Sequence, residues 1–167
     1  MAMVDTGTRA DRLALLIDAD NISADYMPVI IREISALGTL TVKRVYGHFA
    51  SPAMNAWHPL VHEYALTPVH VPPAATRKNA TDMKLTIDAM DLLYRGRLDG
   101  LGIMSSDSDF MPLAMRVRQD GIPVYGFGSA KTPEGFQGAC TRFIDVDVLI
   151  DAERQPAGAA TKAALKK

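Results

Sequence analysis

Residues 13–18 read Leu-Ala-Leu-Leu-Ile-Asp, apolar at every position until the run ends on an acid. Six residues are too few for a buried helix, and the absence of alternation means that both faces of the strand are covered. Such a strand belongs inside a parallel sheet with helices packed on either side. The rest of the chain keeps to that plan. A helix is expected over 23–37, where Ile30, Ile31, Ile34 and Leu37 share a face and Gly38 stops it. Strand-like residues 40–49 follow, then a helical stretch over 53–66 with Pro59 in an early turn, then a short strand over 67–73 closed by prolines. Helices over 81–94 and 110–119 flank a strand at 101–105. A strand at 122–128 leads to Thr132-Pro133-Glu134, which opens a helix with Thr132 as its cap. In that helix Phe136, Ala139, Cys140 and Phe143 form an apolar stripe, which makes Cys140 a core residue. Residues 143–150, Phe-Ile-Asp-Val-Asp-Val-Leu-Ile, read as a last strand.

Alternation of this kind predicts an α/β fold, a three-layer α/β/α sandwich around a central, mostly parallel sheet. Residues 1–11 are expected to be a disordered tail, 12–151 the domain, and 152–167, rich in Ala and Lys, a disordered linker or tail. The 167 residues are 48% hydrophobic and carry a formal net charge of −1, so no global field draws the chain to nucleic acid or anionic lipid. A nucleic-acid partner would need a local basic surface. The single cysteine excludes an internal disulfide and fits a reducing compartment. The polar N-terminus lacks the apolar core of a signal peptide, and Leu-Ala-Leu-Leu-Ile is too short to span a membrane. The expectation is a cytoplasmic protein with no membrane partner.

Carboxylates stand where the buried strands end. Asp18 closes the first strand, and Asp107 and Asp109 follow the fourth in Ser-Ser-Asp-Ser-Asp-Phe. Ligands of open parallel sheets bind at the carboxyl ends of strands, where the winding reverses. If the first and fourth strands are neighbours, three acids meet at one edge. On the helix over 81–94, Asp82 falls within the apolar arc with Thr86 beside it. Lys84, Asp88 and Asp91 share the opposite polar face, so Asp88 and Asp91 read as solvated surface acids and Lys84 as the i,i+4 partner of Asp88. Each acid has a plainer reading as well: Ser108 or Asp109 can cap the helix near Phe110, and Asp82 can favour its helix dipole. Taken together, Asp18, Asp82, Asp107 and Asp109 make an oxygen-only site suited to Mg²⁺ or Mn²⁺, with catalysis of phosphodiester hydrolysis as its natural chemistry. Ser106 and Ser108 would hold those ligands in place. His48, His58, His62 and His70 contain one i,i+4 pair, His58 and His62, without the glutamate of a zinc protease motif. They read as surface or structural. No glycine-rich phosphate loop follows the first strand.

Four segments, Leu-Leu-Ile-Asp-Ala-Asp-Asn-Ile-Ser, Arg-Lys-Asn-Ala-Thr-Asp-Met-Lys-Leu-Thr-Ile-Asp, Ile-Met-Ser-Ser-Asp-Ser-Asp-Phe and Val-Tyr-Gly-Phe-Gly-Ser-Ala-Lys-Thr-Pro-Glu-Gly, resemble the NYN domains, a branch of the PIN-like nuclease superfamily. The resemblance covers residues 13 to about 150. It implies a PIN-like sandwich and Mg²⁺- or Mn²⁺-dependent ribonuclease activity. It maps the acidic positions of the family onto Asp18, Asp82, Asp107 and Asp109, and adds Asn21 as their polar companion. Such domains often carry a further RNA-binding module, and the expectation is that any such module is missing from this chain, either absent or removed. The expected partner is single-stranded RNA, with Arg77, Lys78 and Arg44 as phosphate contacts and Arg116 and Lys131 as further candidates. Two other readings stay open. Asp-Ala-Asp at 18–20 could serve a phosphohydrolase, with Asp18 as nucleophile and Asp20 as acid/base. The domain could also bind RNA or protein without catalysis.

Overall fold

The computed structural model describes residues 11–73 and 79–154. Six strands, β1 (Arg12–Asp18), β2 (Thr39–Gly47), β3 (Thr67–His70), β4 (Gly100–Met104), β5 (Val124–Gly128) and β6 (Arg142–Asp145), form one sheet in the order β3-β2-β1-β4-β5-β6. Every neighbouring pair is parallel. The six helices are α1 (Met27–Ser35), α2 (His58–Glu63), α3 (Ala80–Tyr94), α4 (Met111–Gln119), α5 (Glu134–Ala139) and α6 (Val146–Arg154). Among the described residues no helix is long and apolar enough to cross a membrane.

The continuous apolar run of β1 is explained by the two cores it serves. Leu13, Leu15 and Ile17 point to one face, where they meet Met27, Ile30 and Ile34 of α1, Trp57 and the apolar side of α6. Ala14 and Leu16 point to the other, against Leu85, Ala89 and Leu92 of α3, Leu113 and Val117 of α4, and Phe136 of α5. The chain lays down β1, β2 and β3 in one direction, then returns to the free side of β1 for β4, β5 and β6. Parallel crossovers are right-handed, so reversing direction moves the helices to the opposite face. The result is a three-layer α/β/α sandwich with its switch point between β1 and β4.

Four local expectations change. The first helix is preceded by two short 3-10 turns, Ala19–Asn21 and Ala24–Tyr26, the second opened by Ser23, whose hydroxyl accepts the Asp25 amide at 3.2 Å. Residues 53–66 hold a 3-10 turn, Pro52–Met54, and then α2, with Pro59 in the first helical turn as expected. The last strand stops at Asp145 rather than running to 150, because the Asp145 carboxylate accepts the amides of Asp147 and Val148 at 2.9 and 3.4 Å and starts α6. That helix reaches Arg154. Thr132 does not cap α5; its hydroxyl is buried without a partner. Cys140 is a core residue, its thiol pushed up to about 12 by burial.

Gly128, at the carboxyl end of β5, lies against the loop that leaves β4. A Cβ there would sit 2.4 Å from both the Ser105 carbonyl oxygen and the Thr132 hydroxyl oxygen. The first of these is backbone and cannot swing aside. Gly128→Ala should therefore cost about 1–3 kcal/mol, as overpacking does in a close-packed interior. Urea denaturation checks this: the midpoint should fall with the slope unchanged.

Candidate functional site

The register of the two central strands places the site. Ile17 pairs with Met104, so Asp18 and Ser105, the next residue on each chain, stand side by side at the sheet edge. Both are fully buried. The loops beyond them are tied together by the Ser106 amide, which donates to the Asn21 carbonyl at 3.0 Å. This is the switch point, where loops leaving β1 and β4 diverge to opposite faces; the crevice beside it is lined by Asn79, Asp82, Thr86, Asp109 and Phe110.

Asp18 is held by three side chains converging on one oxygen. Its Oδ2 lies 2.8 Å from Asn21 Nδ2, 2.9 Å from Ser105 Oγ and 3.0 Å from Ser108 Oγ. Ser108 Oγ is also 2.9 Å from Asp82 Oδ1 and 3.0 Å from Asn21 Nδ2. A hydroxyl has one proton to give. Ser108 accepts from Asn21 and donates to Asp18 or to Asp82, never to both at once. Asp18 Oδ1 is buried and has no partner. Beside the pair, Thr81 donates to Asp20 Oδ2 at 2.7 Å.

The electrostatics follow from that geometry. Burial is the main reason the Asp18 carboxyl is raised to about 6, and the charge of Asp82 adds to the rise. The hydrogen bonds from Asn21, Ser105 and Ser108 oppose it without cancelling it. Asp82 is also raised, chiefly by burial, with the charge of Asp20 contributing in the same direction. Both acids are thus harder to ionise than free carboxyls, and one of them carries an oxygen left without a partner.

Of the four acids expected here, the structure brings two together, Asp18 and Asp82. Asp107 and Asp109 are exposed on the loop between β4 and α4. Asp109 Oδ1 accepts the Met111 amide at 2.9 Å at the start of α4, where Phe110 holds the N-cap position; Asp109 also lines a shallow cleft with Asn79, Asp82 and Thr86. Among the described residues no three acid, histidine or cysteine side chains are grouped closely enough to hold a metal ion by themselves. Ser108 and Asn21 belong to the network, whereas Ser106 turns toward β5 and accepts the Ser129 amide at 3.2 Å. Arg44 lies beneath α3, 3.7 Å from Asp88, rather than in the crevice. Asp88 is no solvated surface acid: it is only 13% exposed and accepts from the Tyr46 hydroxyl at 2.8 Å and from Lys84 at 3.0 Å. Arg116 is engaged by Asp120 and by the Tyr94 ring and hydroxyl. Lys131 is exposed on the loop after β5. Arg77 and Lys78 fall outside the described residues.

Sequence reasoning undervalued three members of this site. Ser105 was legible in principle, since pairing the two apolar runs end to end sets it beside Asp18. Thr81 and Asp20 were not, because their meeting joins the start of α3 to the turn after β1 across 61 residues.

The pH dependence of stability should carry the mark of Asp18. An acid whose carboxyl is raised from 3.8 to about 6 binds its proton more tightly folded than unfolded. Without a cation, stability should then fall as pH rises from about 4 to 6, by about 3 kcal/mol at most. Asp18→Asn keeps an oxygen for the three donors and sets an amide where the lone oxygen stood. It should flatten this window and raise stability at pH 7–8 by roughly 1–3 kcal/mol. Denaturant unfolding in chelator across that pH range measures both; a wild type that gains stability between pH 4 and 6 would contradict the assignment.

The comparisons with known proteins agree on the architecture. A solved structure from Vibrio parahaemolyticus, a protein of unknown function, superposes with a TM-score of 0.68 at 16% identity, covering 84% of this chain and 95% of that one. At that identity the likeness shows the fold alone. The comparison with curated proteins returns no match. The model of the NYN domain family matches residues 12–153, from the first residue of β1 to the penultimate residue of α6. With a fully parallel sheet, a switch point occupied by Asp18, and this match across nearly the whole described fold, the chain belongs to the NYN domain family, whose members have a PIN-like nuclease fold.

Proposed function

We propose that this protein is a Mg²⁺- or Mn²⁺-dependent ribonuclease, cleaving phosphodiester bonds of single-stranded RNA at the crevice between β1 and β4. The observation that carries this reading is the buried Asp18 carboxylate, with Oδ1 unpartnered and Asp82 facing it across the Ser108 hydroxyl. The donor set fits a hard cation. Mg²⁺ is commonly held by one or two carboxylates, with water and substrate phosphate completing its shell, so two acids suffice and no third close ligand is required. The residues that would hold it are Asp18 and Asp82, with Asp20 beside them and Asp107 and Asp109 at the rim. A divalent cation bound there supplies Lewis acidity and neutralises charge on the phosphodiester.

The chain's own contribution is orientation. Asn21, Ser105 and Ser108 fix the Asp18 carboxylate from behind and leave the other oxygen free. Ser108 can pass its hydrogen bond from Asp18 to Asp82 as the charge between them shifts. Thr81 holds Asp20 at the base of α3, where a negative group also favours the helix N-terminus. The buried free thiol, with no other cysteine in the chain, fits a cytoplasmic setting.

Incubation of the protein with labelled single-stranded RNA and Mn²⁺ should yield fragments, and chelator should stop the reaction. Asp82→Asn should slow cleavage on the order of 10²-fold or more, the scale of losing several kcal/mol of charge stabilisation. Mn²⁺ should raise the unfolding temperature of the wild type and leave Asp18→Asn unmoved, because only binding to the folded state supplies the gain. RNA that binds but is never cut at saturating Mn²⁺ would turn the reading toward a binding module.

A further inference from the structure

Beyond the acidic crevice the sheet edge continues over β2 and β3, and there its character changes. Asp18 is level with Tyr46, and Tyr46 with Val69, so His70 stands one residue past the level of Asp18 and two strands away, about 10 Å. Between that edge and α2 lies an open groove of about 720 Å³, lined by Phe49, Asn55, His58, Pro59, Val61, His62, Pro68 and His70. Its volume is that of a small-molecule site. No lining residue is acidic, and none is lysine or arginine. A groove without cations is not built to follow phosphates, and one without acids does not repel a polyanion.

What the groove offers is rings. The Phe49 and His58 rings meet edge to face with centroids 5.9 Å apart. His70 sits 5.3 Å from His48, and its Nδ1 accepts the Phe49 amide at 3.2 Å, which assigns the ring proton to Nε2. His58, His62 and His70 are all exposed. Buried Gly47 lies between the groove and the acidic site: a Cβ there would sit 3.4 Å from Asp20 Oδ1 on one side and 2.9 Å from the Met54 sulfur on the other. The Val71 amide closes the same junction by donating to the Gly47 carbonyl at 2.9 Å.

We infer that this groove is a nucleobase subsite: it holds an unpaired base of the RNA strand whose phosphodiester lies at Asp18 and Asp82, stacked on the rings of Phe49, His58 and His70. The inference rests on the ribonuclease reading for its substrate. Unpaired bases are read by stacking on Phe, Tyr, Trp and His side chains, whereas a base inside a duplex must first be unstacked and unpaired to enter a groove, at a cost of about a few kcal/mol. The subsite therefore selects single strands and supplies the affinity that the net charge of −1 does not.

The test separates the two readings by using a ligand with no phosphate. Adenosine titrated into the 167-residue chain, with the histidine ring signals followed by NMR, should move His58, His62 and His70 saturably. His58→Ala should abolish the response and His58→Phe should retain it; His58 is exposed, so an unchanged unfolding midpoint should confirm that both variants fold. Unmoved signals, or an equal response in His58→Ala, would overturn the subsite. In a second arm, His58→Ala should weaken binding of an eight-residue oligoadenylate, or raise its KM, by about ten- to a hundredfold, with His58→Phe restoring it and a stable hairpin unaffected. Cleavage with an unchanged KM in His58→Ala would overturn the subsite and leave the ribonuclease standing. Saturable adenosine binding without any RNA cleavage would uphold the subsite and overturn the ribonuclease.

Discussion

A carboxylate withdrawn from water costs several kcal/mol unless donors or a cation replace its hydration, and Asp18 is withdrawn completely. Much of the surrounding structure answers that cost. Asn21 is delivered by a 3-10 turn that begins at the very next residue, Ser105 by strand register, and Ser108 by the loop that leads into α4. Asn21 and Ser108 come from segments that a regular helix or strand would have carried away from the site. The irregular backbone between β1 and α1 is thus the local form that one buried charge demands.

The network is complete on one oxygen and open on the other. Because a single serine proton serves two acids, some part of the Asp18–Asp82 pair always lacks a donor. A protein interior tolerates few such groups, and those it keeps tend to mark sites of binding or chemistry. The structure spends stability at its switch point while the two cores on either side of β1 are filled by ordinary apolar packing.

The layered fold was legible from the chain alone because it rests on periodicity. Runs such as 13–18 and 101–104 have no polar face, so they could only be central strands. Asp18, which ends the first run, and Asp82, which interrupts the apolar arc of α3, stood out for the same reason, whereas Asp107 after the second run was expected beside them and lies exposed. What stayed hidden were contacts made by polar groups already in polar segments. Asp88 sits on the polar side of its helix by spacing, yet Tyr46 and Arg44 reach it from β2. Asp145 lies in an alternating run that looks extended, yet its side chain bonds the amides two and three residues ahead and turns the chain into a helix. Single hydrogen bonds of this kind, worth about 1 kcal/mol, decide where an element ends, and no periodic signal announces them.

The outer strands have a further consequence. β3 is four residues long and carries Pro68, which has no amide to offer a neighbour, while β6 is equally short and begins and ends on charged residues, Arg142 and Asp145. Brief edges broken by proline or charge are poor templates for strand addition. The sheet is therefore sealed against lateral growth on both margins, and copies of this chain are steered away from pairing strand to strand into fibrils. The carboxyl end of the sheet, where Asp18 sits, then stays accessible even when the protein is crowded with its own kind.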